Sequence, residues 1–456
     1  MRIIHIILLA ALCSLSYLNA QSLNFIVKGS GSDKAFLFSV EGEKTFLIDS
    51  LTSKSKDHFT CDFTGSSRHP GLYRLLVLNK RIDFIYDGED ILIKTESENP
   101  LDSMKVEKSE SNSIYYSFVR LNRQYKTKSE LLQLILMRYP KDDNYYRTTI
   151  NKFEQLQKEY TEFVDKYSRV NPNSFIAKYV KSAQLPIVNF LLPLDKQLSF
   201  LKSHSLDNID FTDAGLIYSD LLTNKTIEYL TYFGNPQLPK ELLEKEFMKA
   251  VDSLLNRAKV HPLVYQHIVE YLIDGFKKYG MDMTLDYIVQ NYVIKDDLCL
   301  DPKTESSIQR RIDQNKKLHL NSPAPDIKLP DINGRVIELS KLKSANVLIV
   351  FYASWCPHCT ELIPELDKLY KDSDLKQFEI LAVSLDEKKE DWINFVKKNK
   401  LDWLNVSDLK GWNSKAASDY FIYATPTMFL VNNKLNITGK PLTIAELELM
   451  LQADKK

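Results

Sequence analysis

Two cysteines separated by two residues, Cys356 and Cys359, follow closely after the apolar run Asn346–Tyr352. The apolar run predicts a buried strand, and the residues from Pro357 onward predict a helix. At the start of a helix, unpaired backbone N–H groups and the helix dipole favour a negatively charged sulfur at Cys356. Cys359 follows one helical turn later on the same face, so a disulfide can form and open with little backbone movement. The spacing therefore predicts a redox-active disulfide between Cys356 and Cys359.

Two other uses of a cysteine pair fit the sequence less well. Half of a four-cysteine zinc site needs a second close pair, and the remaining cysteines are solitary: Cys13, Cys61 and Cys299. A purely structural disulfide needs neither Trp355 before it nor Pro357 and His358 inside it. Pro357 suits the first helical turn, where its missing N–H leaves nothing unsatisfied. We therefore predict no metal site, and we expect these three neighbours to tune the redox pair and to contact substrate.

Length and composition restrict the classes of protein that fit. The chain has 456 residues, which is too long for one ordinary core and predicts two or three domains. Its hydrophobic fraction of 44% and charged fraction of 26% are typical of a soluble globular protein. The formal net charge is zero, so nothing indicates binding to nucleic acid or to an anionic membrane surface.

The N-terminus has the pattern of an export signal. Arg2 is followed by an apolar stretch at residues 3–12, and small residues near Ala20 offer a cleavage site. The sequence thus predicts a cleaved signal peptide at residues 1–20 and a location in the periplasm or cell envelope, where disulfide chemistry matters. Acylation of Cys13 as a lipoprotein is disfavoured, because a bulky leucine precedes it where lipoprotein signals carry a small residue.

The rest of the chain divides by its hydrophobic period. Residues 21–110 alternate apolar and polar side chains between turn signals, which predicts a small antiparallel β-domain resembling a sandwich. Residues 111–318 have helical periodicity and predict an α-helical domain without recognisable chemistry. A Pro-containing linker follows at 319–331. In residues 332–456 strands alternate with helices and end in a hairpin, which predicts an α/β sheet of mixed strand direction.

Residues 322–456 resemble a thioredoxin-fold domain of the TlpA/ResA type, a family of thiol–disulfide oxidoreductases. The resemblance lies in four parts of the sequence. Residues 322–326 resemble the family's N-terminal segment, and residues 347–356 resemble its central strand with the active-site loop. Pro364 matches the proline within the following helix, and residues 424–427 match the later proline loop. The whole chain also resembles a multidomain arrangement of Bacteroidota envelope proteins, with a signal peptide, a β-domain, a helical middle and a thioredoxin-like C-terminus.

The resemblance implies a role for each matching residue. Cys356 would be the attacking thiolate and Cys359 the more buried resolving thiol. Pro426 would be cis and would place the backbone of Thr425 beside Cys356, where an extended client segment pairs with it as a short β-bridge. The clients would be protein disulfides or dithiols, with reduction favoured over oxidation. The pair itself carries the electrons, so no cofactor is implied, and a membrane thiol–disulfide protein would act as electron donor or acceptor.

The sequence departs from the family at the acids that assist the resolving thiol. Val350 stands where cytoplasmic thioredoxins carry a buried Asp, and Leu362 stands where ResA-like proteins often carry a Glu. Glu361, one position earlier, is more simply a solvated residue of the helix face. The acid that would assist Cys359 is therefore not assigned.

The Pro-His dipeptide between the cysteines is the pair found in DsbA-type oxidases. It predicts a redox potential somewhere in the span of this fold, roughly −270 to −120 mV. A peroxiredoxin would need a Thr three residues before its reactive cysteine, and Ala353 occupies that position.

A rival class is a protein that binds a client or an envelope component, in which the thioredoxin-like domain is accessory. The first two predicted domains form about two thirds of the chain and carry no chemistry. Cys61 lies on an apolar face and is expected to be a buried small hydrophobe. Cys299 is either a free thiol or a partner of Cys61.

Overall fold

The computed structural model describes residues 21–53, 55–63, 68–371 and 378–453. The predicted signal peptide and Cys13 lie outside these residues. The chain forms two compact units that divide between Gly275 and Phe276. Within the described ranges, no helix combines the length and apolar character needed to cross a lipid bilayer.

The first unit begins with a β-domain, and its strands are β1 (Gln21–Lys28), β2 (Lys34–Glu41), β3 (Lys44–Thr52), β4 (His58–Phe63), β5 (Gly71–Val77), β6 (Lys80–Tyr86), β7 (Ile91–Glu96) and β8 (Lys105–Lys108). They form two four-stranded sheets, in the orders β4-β1-β7-β8 and β3-β2-β5-β6. The apolar faces of the sheets meet, as in the contact of Phe25 with Phe84, whose ring centroids are 4.9 Å apart. The predicted β-domain is therefore confirmed.

One strand pair differs from the predicted antiparallel pattern. β1 and β7 are parallel, with Leu23 opposite Ile91, whereas the other neighbours in the two sheets are antiparallel. A parallel pair cannot be joined by a short hairpin. Here the chain between β1 and β7 passes through the second sheet, so a long connection is available.

The helices that follow are α1 (Glu110–Arg138), α2 (Asn144–Val170), α3 (Phe175–Ala183), α4 (Leu194–His204), α5 (Leu221–Thr231), α6 (Lys240–Ala258), α7 (Pro262–Lys278), α8 (Asp282–Ile288) and α9 (Pro302–Lys317), with a π-helical turn at Val289–Ile294. The buried amide of Asn112 fixes α1 to the β-domain. It accepts from the Ile85 N–H at 2.9 Å and donates to the Ile85 carbonyl at 2.7 Å. The predicted helical region is confirmed.

The second unit contains α8, α9 and a C-terminal α/β fold. The elements of this fold are β9 (Lys328–Pro330), β10 (Val336–Glu338), β11 (Asn346–Tyr352), α10 (Pro357–Lys371), β12 (Phe378–Ser384), α11 (Lys389–Lys398), β13 (Leu404–Val406), α12 (Lys415–Asp419), β14 (Thr427–Asn432), β15 (Ile437–Gly439) and α13 (Ile444–Ala453). Five strands form one sheet in the order β13-β12-β11-β14-β15. β11, β12 and β13 are parallel, and β14 and β15 are antiparallel to their neighbours.

The central strand β11 explains how this sheet positions its loops. Every residue from Val347 to Tyr352 is buried, as expected for a strand covered on both faces. The strand is long enough to cross the core and ends at Tyr352, next to the two cysteines. The predicted domain limits at 110, 318 and 331 stay predictions, and α8 and α9 belong to the second compact unit.

Candidate redox site

The two cysteines lie in the turn that joins β11 to α10. The N–H of Cys356 donates to the carbonyl of Ala353 at 3.2 Å, which tightens this turn. The carbonyl of Cys356 then accepts from the N–H groups of Cys359 and Thr360, both at 3.1 Å. Cys356 therefore stands at the N-terminus of the helix, and Cys359 lies within its first turn.

The two thiols differ in their access to solvent. Cys356 keeps 5% of its surface exposed, whereas Cys359 has 0%, and both are free thiols. Burial raises the pKa of Cys359 far above that of an ordinary thiol, and the neighbouring Cys356 raises it further. The buried thiol is thus held in its protonated form at neutral pH.

The loop before β14 closes the other side of the site. The Cys356 thiol donates to the carbonyl of Thr425 at 3.2 Å, and the peptide bond between Thr425 and Pro426 is cis. The structure therefore brings together four residues singled out in the sequence, namely Cys356, Cys359, Thr425 and Pro426.

Exposed side chains surround Cys356. Trp355 is 56% exposed, and Pro357 and His358 also face solvent. The ring of Trp412 lies 6.3 Å from the ring of Trp355, which adds a second aromatic group to this surface. Trp412 follows Gly411, whose φ is +55° and where a Cβ atom would come within 2.7 Å of the Glu387 carboxyl. The glycine just before Trp412, which marks a turn, is the feature of the sequence that could have drawn attention to this tryptophan.

A buried acid supports the loop before Cys356. Asp386 is 1% exposed and accepts from the Ser354 hydroxyl at 2.6 Å and from the Ser354 N–H at 3.2 Å. The Ser384 hydroxyl also donates to it at 2.8 Å. Asp386 follows directly on β12, whose end lies beside the end of β11 because Tyr352 is opposite Ser384. Val350, at the position where cytoplasmic thioredoxins carry a buried Asp, is itself buried within β11, and Glu361 is exposed on α10.

A second buried network holds the last residue of β11. The Tyr352 hydroxyl accepts from the Trp392 indole N–H and donates to the Asn405 amide oxygen, each at 3.1 Å. Asn405 in turn donates to the Trp403 carbonyl at 3.0 Å. Burial raises the pKa of Tyr352, so its hydroxyl remains a hydrogen-bond donor. Because the Tyr352 hydroxyl, the Trp392 indole N–H and the Asn405 amide oxygen are all paired, the network can fix the end of the strand.

Across the part of the chain that the structure describes, no group of three or more His, Cys, Asp or Glu side chains is arranged to hold a metal ion.

Comparisons with known proteins find one matching family model and several relatives. The AhpC/TSA family model matches residues 320–440. The thiol-disulfide oxidoreductase ResA of Bacillus cereus is 31% identical over 125 residues, which cover 27% of this chain and 70% of that protein. ResA of Bacillus subtilis is 34% identical over 111 residues, or 24% of this chain and 60% of that protein. A solved thiol-disulfide oxidoreductase from Bacteroides fragilis is 30% identical, with 29% of this chain and 98% of that chain covered and a TM-score of 0.26.

The C-terminal region is therefore a thioredoxin-like domain. Through it, the chain belongs to the ResA-type thiol–disulfide oxidoreductases, and it is an enzyme of that class.

We expect Asp386→Asn to weaken both the site and the fold around it. An amide has one acceptor atom instead of two, so at least one buried donor among the Ser354 and Ser384 groups loses its partner, at a cost of about 1–3 kcal/mol. Displacement of the loop should slow disulfide reduction by roughly tenfold. All four tryptophans lie in the second unit, so their fluorescence during urea unfolding reports on this unit. Asp391→Asn, at an exposed position of α11, is the matched control; equal behaviour of the two variants contradicts the assigned role.

The burial of Cys359 predicts the order in which the two thiols react. A thiol whose pKa is raised in the folded state stays protonated above about pH 8.5, where an unfolded thiol ionises. The native state then binds more protons than the unfolded state, so this thiol makes the reduced protein less stable as the pH rises above about 8.5. At pH 8–9 iodoacetamide should label Cys356 at least about tenfold faster than Cys359 in the folded protein, as quantified by peptide mapping. Urea-unfolded protein is the control, and equal labelling before unfolding is the contrary result.

Proposed function

We propose that this chain is an exported thiol–disulfide oxidoreductase that exchanges disulfides of envelope protein clients through Cys356 and Cys359, mainly as a reductase. The observation that carries the proposal is the arrangement of the two thiols. A partly accessible Cys356 stands at a helix N-terminus, 3.2 Å from the backbone carbonyl of Thr425, and the neighbouring Cys359 is fully buried. Such a pair can attack an external disulfide with one sulfur and resolve the product with the other.

The chemistry proceeds in two exchange steps. The Cys356 thiolate attacks one sulfur of the client disulfide, so the client S–S bond breaks and a mixed disulfide forms. The client thiolate released here takes up a proton, and Cys359 must give up its own. The Cys359 sulfur then attacks Cys356, which forms the intramolecular disulfide and releases the second client sulfur. In total the client gains two electrons and two protons, both supplied by the cysteine pair.

The environment of Cys359 supports reduction as the main direction. A stabilised thiolate favours the reduced form of a pair and makes its disulfide a stronger oxidant. Burial opposes a charge on Cys359, so the reduced form of this pair receives no such stabilisation from its second sulfur. The pair should therefore give its electrons to clients and be recharged by a dithiol partner, which we place in the membrane.

The surface around Cys356 fits an extended polypeptide. The backbone at Thr425 offers a short pairing edge directly beside the reactive sulfur. Trp355 and the partly buried Trp412 add aromatic surface on which apolar client side chains can pack. We propose that Pro426 helps to present this edge, that Pro357 and His358 tune the pair, and that residues 1–20 direct the protein to the periplasm or cell envelope.

An alternative function is binding, with the redox domain as an accessory. One observation favours it: several large apolar side chains are exposed near the turn between α1 and α2, namely Leu131, Leu134, Met137, Tyr139 and Tyr145. Exposed apolar groups that lie close together often mark interaction sites. In this alternative the first unit retains its partner whether or not the cysteines are present.

Covalent trapping tests the proposed function. In Cys359→Ala the second exchange step is blocked, so mixed disulfides on Cys356 should accumulate and be recovered from envelope extracts by mass spectrometry. A Cys299→Ser background removes the thiol that is exposed within the described residues. Cys356→Ala in the same background is the matched control and should trap little. If Cys356→Ala traps partners and Cys359→Ala does not, the assignment of the attacking sulfur is reversed; partners that bind both variants non-covalently favour the binding alternative.

The redox potential tests the proposed direction. After equilibration with glutathione buffers, we expect the full chain to lie nearer to the value of thioredoxin, about −270 mV, than to that of DsbA, about −120 mV. Because His358 is proposed to tune the pair, His358→Ala should make the potential more negative, since loss of a group that stabilises the reduced form makes the disulfide a weaker oxidant. A potential near the DsbA value would show that the pair is built to oxidise.

A further inference from the structure

A short connection, residues 420–423, carries the chain from α12 to the pairing edge at Thr425. It begins with a helix-ending motif, in which the Ile422 N–H donates to the Ala417 carbonyl at 2.8 Å and the Phe421 N–H donates to the Ser418 carbonyl at 3.0 Å. Phe421 has a φ of +49°, at the position of this motif where glycine is usual. The connection is thus held with a left-handed backbone at Phe421, a conformation that is unfavourable for a residue other than glycine.

Side chains of α9 bind the backbone of this connection. Gln314 donates its amide to the carbonyls of Tyr420 at 3.0 Å and Phe421 at 3.3 Å. Arg310 donates to the carbonyl of Ile422 at 2.9 Å. The ammonium group of Lys317 lies 4.5 Å from the centre of the Phe421 ring. Three successive carbonyls therefore take hydrogen bonds from one helix that precedes the thioredoxin fold in the chain.

The next residue, Tyr423, is held by α8 and α9 together. The Arg311 guanidinium lies 4.0 Å from the centre of the Tyr423 ring, and the Tyr423 hydroxyl donates to Asp286 at 2.7 Å. Arg311 also bonds to Asp286 at 2.5 Å and to Asp282, and its side chain is only 10% exposed. An arginine that makes several ion pairs and a ring contact at once has little freedom to move.

We propose that Arg310, Arg311 and Gln314 of α9, together with Asp286 of α8, are positioning residues for the client-pairing edge at Thr425. The contacts from α8 and α9 extend along the chain as far as Tyr423, two residues before the carbonyl that faces Cys356. The functional redox unit then begins at α8, before the thioredoxin fold itself. This inference rests on the proposed function, in which a client segment pairs with Thr425.

The physical basis is the geometry that disulfide exchange needs. The attacking sulfur must meet the client disulfide in line, and an error of about 1 Å in placing a reactant can cost about 10²-fold in rate. A client held on the backbone at Thr425 takes its position from residues 420–423. A small reagent such as iodoacetamide meets Cys356 without using that edge. Loss of the contacts between α9 and residues 420–423 should therefore slow client reduction while leaving the reaction with a small reagent unchanged.

The experiment compares two reactions in the full chain. Reduction of a peptide disulfide gives kcat/KM, and iodoacetamide labelling of reduced Cys356 gives the rate with a small reagent. We expect Arg310→Ala and Gln314→Ala each to lower kcat/KM by about fivefold to tenfold, with labelling within twofold of the parent. Arg310→Lys, which keeps a donor, should recover part of the loss. Gln309→Ala is the matched control, because Gln309 lies on the same helix and bonds to Asp313 at 3.1 Å.

Each outcome decides the question. The positioning role is overturned if kcat/KM is the same in the three variants Gln314→Ala, Arg310→Ala and Gln309→Ala. A parallel fall in both reactions also overturns it, since general loosening of the site would then explain the effect. Arg310 is exposed, so Arg310→Ala should fold even if a substitution of the buried Arg311 does not. Failure of the parent protein to reduce the peptide would instead refute the proposed function, and this inference with it.

Discussion

The burial of β11 on both faces is the constraint on which the redox site depends. A strand buried on both faces is apolar along nearly its whole length. In this chain the end of β11 leads directly into the turn before Cys356. The same burial leaves Cys359 beneath its partner, out of water, so the two sulfurs receive different environments from a single strand-to-helix turn.

Buried polar groups then determine one conformation of this turn. Asp386 and Tyr352 lie where unsatisfied groups would cost several kcal/mol, and their hydrogen bonds reach the loop, the neighbouring strand and α11. An apolar core alone would tolerate several loop conformations. Satisfied polar networks are more selective, because a displaced loop leaves a donor or an acceptor without a partner. Precision at the reactive sulfur thus comes from polar groups, although the stability of the core is apolar.

The sequence could predict those features that are local along the chain. The strand, the helix and the cysteine pair are read from a few consecutive residues, and the period of the apolar residues gave the β-domain and the helical region. The same period cannot distinguish parallel from antiparallel neighbours, so the pairing of β1 with β7 could not be predicted. Asp386 required the register between β11 and β12. The contacts of Gln314 join residues 106 and 107 positions apart, a separation at which no local pattern carries information.

Phe421 shows how α9 takes part in shaping the backbone that leads to the redox site. Glycine would adopt the left-handed backbone at this position with less strain, but it would provide no ring for Lys317 to cover. The aromatic side chain makes the turn dependent on its neighbour. Natural variation at α9 and at this turn should therefore be correlated, and a chimera that exchanges only the C-terminal fold between relatives would inherit a turn without its matching helix.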